Sequence, residues 1–183
     1  MAGWSVAIQQ DRELSGESRK WGNWESALLL TSCKYCVEKH GTVVPIQMVE
    51  TKLSMHPNCY CVYVPMRTKE AGQATDMGLG GADAALAYMG RLPEYYVGKN
   101  VAKKYGWKSK SNDLDQILPG YMIGGDVFYN KNKKLPDAPG RVWYEADINY
   151  EGGFRNRQRV LYSNDGLLFA TYDHYHTFYE IVK

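Results

Sequence analysis

Residues 141–150 read RVWYEADINY. Aromatic and β-branched residues favour a strand here, and a period of two places Trp143, Glu145 and Asp147 on one face and Val142, Tyr144, Ala146 and Ile148 on the other. A carboxylate in mid-strand is costly unless solvent or a cation reaches it. Glu145 is therefore either half of an ordinary cross-strand ion pair or part of a site, and its neighbours in the chain decide between these. Gly153–Arg159 (GFRNRQR) supplies Arg155, Arg157 and Arg159, and Tyr172–His176 (YDHYH) supplies two histidines at a strand-to-turn junction.

A base, fixed positive charges and an imidazole are the parts needed to cleave RNA without a metal. A glutamate takes the proton of the ribose 2′-OH, that oxygen attacks phosphorus, and an imidazolium protonates the departing 5′-oxygen. Arginines stabilise the added charge, since their planar fork pairs two phosphate oxygens.

Outward from this stretch, short β-rich runs separated by turn residues fill the chain from Gly124 onward: Asp126–Tyr129, Arg141–Tyr150, Gln158–Ser163, Leu167–Asp173 and Thr177–Val182. They read as a meander of antiparallel strands. Helix-like stretches precede them, at Ala82–Met89, stopped by Gly90 and Pro93, and at Asn100–Tyr105. Helices followed by strands predict an α+β domain with its helices packed on an antiparallel sheet. Earlier in the chain, Val62–Val64 reads as a short strand, and Trp21–Thr31 (WGNWESALLLT) as a helix or a buried strand, its apolar run being too short for periodicity to decide.

All four cysteines, Cys33, Cys36, Cys59 and Cys61, fall in the first third of the 183 residues. That asymmetry predicts two modules: a small Cys/His module at 1–65, a glycine-rich linker at 66–80 and the α+β domain at 81–183. The formal net charge is only +2, too small to capture nucleic acid by net charge alone. Its distribution is uneven, because residues 1–84 hold 8 basic against 9 acidic side chains and residues 85–183 hold 14 against 11. The anionic partner belongs to the C-terminal module. The 15 tyrosines suit surfaces that pack on one side and hydrogen-bond on the other. No apolar run reaches membrane-spanning length, and no signal-peptide pattern opens the chain, which reads as the C-terminal piece of a larger protein.

From Gly81 to Lys183 the sequence resembles the barnase family of bacterial guanyl-specific ribonucleases. The resemblance rests on Leu92–Pro93, KNVAKKYGW (Lys99–Trp107), IGGDVF (Ile123–Phe128), KLP (Lys134–Pro136), GRVW (Gly140–Trp143), EADINY (Glu145–Tyr150), GFRN (Gly153–Asn156), RVLYS (Arg159–Ser163) and DHYHTF (Asp173–Phe178). It implies the microbial ribonuclease fold, short helices packed on a twisted antiparallel sheet. It also implies roles: Glu145 as general base, His174 as general acid, Arg155 and Arg159 as the phosphate clamp and Lys99 as a further cation. The resemblance further implies that Tyr175 stands beside the scissile phosphate and that Phe128, Asn130 and Lys131 belong to the base-recognition loop. No cofactor is implied for catalysis. His176 and Arg157 lie off the motif and read as a polar edge residue, sharing a strand face with His174 if the chain stays extended, and a solvated charge. The loop departs from the family at Tyr129, at Lys131 and at Asn132, where an acidic residue commonly receives guanine. Losing one bidentate base contact costs about 1–3 kcal/mol of discrimination.

Arg141 with Asp165, and Asp147 with the arginines near Glu145, read as scaffold ion pairs. Asp126 reads as the support of a turn or of Lys99.

In the first module, Cys33-x-x-Cys36 and Cys59-x-Cys61, with His40 and His56 nearby, have the ligand types of a structural zinc site, His56 being an alternative ligand. Disulfides between the two pairs, or packed thiols, are the other readings. The string Cys33–Cys61 (CKYC…HG…HPNCYC) resembles the C-terminal segment of phage head-morphogenesis proteins of the Mu F type.

These readings predict a monomeric, metal-independent endoribonuclease toxin that cuts single-stranded RNA through a 2′,3′-cyclic phosphate. It would act outside the producing cell or inside a target cell, opposed by a barstar-like or other cognate immunity protein. The alternative is a non-enzymatic adaptor of a phage-like particle that keeps the ribonuclease fold for binding.

Overall fold

The computed structural model describes residues 21–26, 33–45, 61–109 and 113–183. It divides into two compact units: Met1–Arg67 with Asn130–Asp137, and Thr68–Tyr129 with Ala138–Lys183.

The first unit holds a three-stranded antiparallel sheet of order β2-β1-β3, built from β1 (Trp21–Ser26), β2 (Thr42–Pro45) and β3 (Cys61–Pro65). The sequence left helix and strand open over Trp21–Thr31; Trp21–Ser26 is a strand, whose alternation buries Trp24 and Ser26 on one face, and residues 27–31 lie outside the described residues. Trp24 meets Tyr35 of helix α1 (Lys34–Lys39) edge to face at 6.0 Å. Cys33 caps α1, its Sγ accepting from the Cys36 N–H at 3.4 Å. His40 ends the helix, and its Nδ1 accepts from the Ser26 N–H at 3.2 Å. From the segment Asn130–Asp137, the Lys134 carbonyl accepts from the Val43 N–H at 2.7 Å.

The second unit is α+β, as expected, and is built on a seven-stranded sheet. Its strands are β4 (Thr68–Glu70), β5 (Tyr96–Val97), β6 (Met122–Phe128), β7 (Trp143–Asp147), β8 (Arg159–Ser163), β9 (Leu168–Thr171) and β10 (Tyr179–Val182), in the order β4-β10-β9-β8-β7-β6-β5. The run from β6 to β10 is the antiparallel meander read from the sequence. Two edge strands that the sequence did not reveal pair parallel to it, β4 on β10 and β5 on β6. Strands of two or three residues carry no periodicity to read.

Helix α2 (Ala82–Met89) lies where its alanine run and Gly90 placed it; Gly90 takes the left-handed conformation, φ 68°, that ends helices. Its Ala82, Leu86 and Ala87 pack with Ala146, Ile148, Val160, Leu168, Ala170 and Ile181 from one face of the sheet. A second cluster joins helix α3 (Lys99–Lys104) to Trp107, Ile123 and helix α4 (Leu114–Ile117) through Ala102 and Leu114. Gly124 lets these layers close, since a Cβ there would lie 2.5 Å from Tyr96 and 2.7 Å from the Ala146 methyl.

Residues 68–80, inside the stretch read as a linker, are held by a buried carboxylate. Asp83, fully buried, accepts from the Gly72 and Ala74 N–H groups, each at 2.8 Å, and from the Thr75 hydroxyl at 2.9 Å. Those three donors offset the desolvation of the charge, and the small polar residues that look like a linker are what wraps it.

Candidate active site

The side chains at issue in the second unit sit on the sheet face opposite α2. Alternation along β7 sends Ala146 to the α2 core and Trp143, Glu145 and Asp147 to the other face, as the sequence predicts. Glu145 is 9% exposed and is the middle residue of β7. Lys99, first residue of α3, donates from Nζ to Glu145 Oε1 at 2.5 Å, and the Tyr175 hydroxyl donates to Oε2 at 2.5 Å. The Asp126 carboxylate of β6 accepts from the Lys99 N–H at 3.0 Å, which fixes the start of α3 and hence the lysine. Burial pushes the Glu145 carboxyl upward, but the Lys99 and Tyr175 donors and the charges of Lys99 and Arg159 outweigh it and hold the group below its ordinary value. Glu145 is therefore ionised near neutrality, as a base must be. Burial and the bond to Glu145 push the Tyr175 hydroxyl well up, so it remains a donor.

Asp147, 1% exposed, organises the two arginines. Arg155 donates to both its oxygens, from Nε at 2.5 Å and from a terminal nitrogen at 2.6 Å, and its guanidinium lies 5.9 Å from the centre of the Trp107 ring. Arg159 Nε approaches Asp147 Oδ1 at 2.9 Å, off the hydrogen-bond axis, while a terminal nitrogen donates to the Gln158 carbonyl at 2.6 Å. The scaffold pair expected between Arg141 and Asp165 is present and bidentate, Nε donating to Oδ1 at 3.0 Å and a terminal nitrogen to Oδ2 at 2.7 Å.

His174 is placed by a turn, not by a strand. His174 and Tyr175 both have positive φ, 61° and 70°, so the extended geometry that would put His176 on the face of His174 does not occur. The Asp173 carboxylate accepts from the His176 N–H at 3.0 Å, the Thr177 N–H at 2.9 Å and two threonine hydroxyls, and the Thr171 hydroxyl accepts from the Tyr175 N–H at 2.9 Å. These bonds impose the conformation that two non-glycine residues would otherwise avoid. The sequence signal was an aspartate followed by threonine four residues on, a side chain suited to capping a turn.

A cavity of about 460 Å³ opens beside this turn, lined by Phe154, Arg155, Arg157, Arg159, His174 and His176 among others. Arg157 and His176, read as surface groups, thus share a cleft with the acid candidate. Burial lowers the affinity of His174 for its proton, the charges of Arg159 and Arg157 lower it further, Glu145 opposes them, and His176 adds to the lowering.

The base-recognition candidates divide. Phe128, at the end of β6, packs against Tyr175 with ring centres 5.1 Å apart and planes tilted by 32°. Asn130 and Lys131 belong to the segment Asn130–Asp137 of the first unit. The Asn130 amide closes that segment on itself, donating to the Leu135 carbonyl at 2.9 Å and accepting from its N–H at 3.1 Å. Lys131 is exposed. Of the candidate metal ligands, Cys33 and Cys36 bring their sulfurs to 3.3 Å and Cys61 lies half-buried on β3, whereas Cys59 and His56 fall outside the described residues. Among the described residues, no group of three or more His, Cys, Asp or Glu side chains is arranged to hold a metal ion. No helix among them is long and apolar enough to cross a membrane.

A family model described as ribonuclease matches residues 82–182. A ribonuclease of Heyndrickxia coagulans is 49% identical over 102 residues, which cover 56% of this chain and 93% of that protein. Ribonucleases of Bacillus intermedius and Bacillus pumilus are likewise 49% identical over 102 residues, 56% of this chain and 62% of theirs. The matched part contains Lys99, Glu145, Arg155, Arg159, His174 and Tyr175.

Proposed function

The chain belongs to the ribonuclease family and is a barnase-like endoribonuclease; from that premise we propose that it cuts single-stranded RNA by transphosphorylation, leaving a 2′,3′-cyclic phosphate. Glu145, ionised, takes the proton of the 2′-OH. That oxygen attacks phosphorus, and His174 in its protonated form delivers a proton to the 5′-oxygen that leaves. Arg155 and Arg159, oriented by Asp147, meet the non-bridging oxygens as the added charge develops, and Lys99, beside Glu145, supplies a third cation. Every proton transfer in this scheme is made by a side chain of the chain itself, so the reaction calls for no metal.

One observation carries the reading best. The ionised Glu145 is fixed by Lys99 and Tyr175 beside an Asp147-anchored arginine pair, and that pair shares its cleft with His174. An adaptor that only bound RNA would have no need of both a base and an acid. Replacing either should abolish cleavage with the fold intact, and cleavage that survives in Glu145→Ala would refute the assignment.

Three further elements belong to the proposal. The upstream base preference is for guanine, relaxed by Asn132. The protein acts as a toxin, outside the producing cell or in the cytoplasm of a target cell, and is held in check by an acidic, barstar-like immunity protein. The cationic lining of the cavity, Arg155, Arg157 and Arg159, supports that partner, because an opposed acidic surface would be drawn to it. In the first unit Cys33, Cys36, Cys59 and Cys61 hold a structural zinc ion. Tetrahedral zinc–sulfur geometry sets sulfurs about 3.8 Å apart, so the Cys33–Cys36 turn needs to open only slightly to provide two of the four ligands. Release of one equivalent of zinc on denaturing the purified chain is the expected result, and a mass lower by two disulfides would replace it with cross-linking.

A further inference from the structure

The turn that follows β9 has to put two neighbouring side chains to use on one side of the sheet. His174 lines the cleft with Arg155 and Arg159, and the Tyr175 hydroxyl reaches Glu145 Oε2. Adjacent residues of an extended chain point to opposite faces, so a strand cannot do both. Here both residues take left-handed backbone, φ 61° and 70°, where glycine would be relaxed but would bring no side chain, and their ring centres lie 4.7 Å apart. Such a conformation persists where its surroundings impose it, and four consecutive N–H groups of the turn show what does. The His174 N–H donates to the Arg157 carbonyl at 3.1 Å. The Tyr175 N–H donates to the Thr171 hydroxyl, which itself donates to Asp173 Oδ1 at 3.0 Å. The His176 and Thr177 N–H groups donate to that same oxygen, and Oδ2 takes the Thr177 hydroxyl at 2.7 Å. Three of the four N–H groups thus end on one carboxylate, directly or through Thr171. Burial pushes the Asp173 carboxyl up, but the donors of Thr177, Thr171 and His176 outweigh it and hold the group below its ordinary value, so it is a full acceptor near neutrality.

We propose that Asp173 is a positioning residue of the nuclease, whose carboxylate holds the turn that presents the acid, His174, and at the same time aims the Tyr175 hydroxyl at the base, Glu145. This rests on the reading of Glu145 and His174 as base and acid. Asp173 meets no reacting atom in that scheme and acts through the two residues that follow it. Without its carboxylate the backbone of both is free to leave the left-handed region. His174 then loses its placement, and a misplacement of about 1 Å can cost about 100-fold in rate. Tyr175 ceases to donate to Glu145, whose affinity for a proton rises. The guanidiniums are anchored on Asp147 and not on the turn, so substrate binding is largely spared.

The test measures kcat and KM of the full chain on a defined single-stranded RNA oligonucleotide across pH. Asp173→Ala should lower kcat at least about tenfold with KM within about threefold of the wild type, and should move the acid limb of the kcat/KM–pH profile to higher pH. Asp173→Asn keeps an oxygen for the three donors on Oδ1, and its amide can donate to the Thr177 hydroxyl, so it should recover most of the loss. A purely structural role would lower the thermal midpoint and leave the acid limb in place. In a folded Asp173→Ala chain, a smaller loss of kcat, an unmoved acid limb or no recovery in Asp173→Asn overturns the inference and leaves the ribonuclease reading standing. A wild-type chain inert on the oligonucleotide overturns both. Should the alanine variant not fold, Thr171→Val removes the hydroxyl that links Asp173 to the Tyr175 N–H; it should lower kcat at least about threefold and move the acid limb the same way, and wild-type behaviour in it overturns the inference.

Discussion

Asp147→Asn is the substitution that most directly joins stability to function in this protein. The carboxylate is 1% exposed and faces two guanidiniums whose side chains are 19% and 5% exposed, so little water is at hand to replace it. Asparagine keeps the shape and removes the charge, which leaves Arg155 and Arg159 as buried cations with one neutral acceptor between them. Breaking a buried pair by removing one partner costs about 3–5 kcal/mol. For a unit of roughly 100 residues, at about 4 °C per kcal/mol, the thermal midpoint should fall by about 12–20 °C. The same change frees the two guanidiniums for an anion. Inorganic phosphate should therefore raise the midpoint of Asp147→Asn by more than it raises that of the wild type, since a ligand that binds only the folded state stabilises it in proportion to its affinity. Differential scanning calorimetry with and without phosphate measures both effects. A loss below 1 kcal/mol, or an equal phosphate response in the two proteins, would refute the view that Asp147 balances the clamp.

Other substitutions probe separate parts of the account. Asp83→Ala orphans the buried Ala74 N–H, the half-buried Gly72 N–H and a buried hydroxyl, so it should cost about 2–4 kcal/mol by calorimetry while kcat stays unchanged; a neutral effect would show that residues 68–80 are not held as described. Arg157→Ala removes a positive charge that disfavours the imidazolium of His174, so the alkaline limb of the kcat/KM–pH profile should move to higher pH. Tyr175→Phe removes a donor that favours ionised Glu145, so the acid limb should also move to higher pH, and a shift in the opposite direction would contradict the hydrogen-bond assignment.

What the sequence disclosed follows from which interactions are local. Helix α2 was legible because its stop signal, Gly90, is adjacent in the chain, and β7 because alternation over ten residues separates Glu145 from Ala146 without knowledge of any neighbour. The arginine anchor at Asp147 was legible for the same reason, since β7 and the arginine-rich turn follow one another. Strands β4 and β5 were not, because they are too short to show a period and are defined by partners far along the chain. Nor was the conformation of His174 and Tyr175, whose positive φ angles come from the bonds of Asp173 and Thr171 and not from any intrinsic preference. That is also why Arg157 and His176 were read as plain surface groups, although both line the cleft with His174.

The central claim is that Glu145 and His174 act as a base and acid pair in RNA cleavage. It is tested most directly by incubating a defined single-stranded RNA with wild type and with folded His174→Ala in the presence of EDTA, and mapping both the cut sites and their end groups. The account predicts 2′,3′-cyclic phosphate ends with the wild type and a loss of at least about 100-fold in the variant, the scale of one general acid. Comparable cleavage by His174→Ala, or wild-type cuts that leave 5′-phosphate ends, would contradict it.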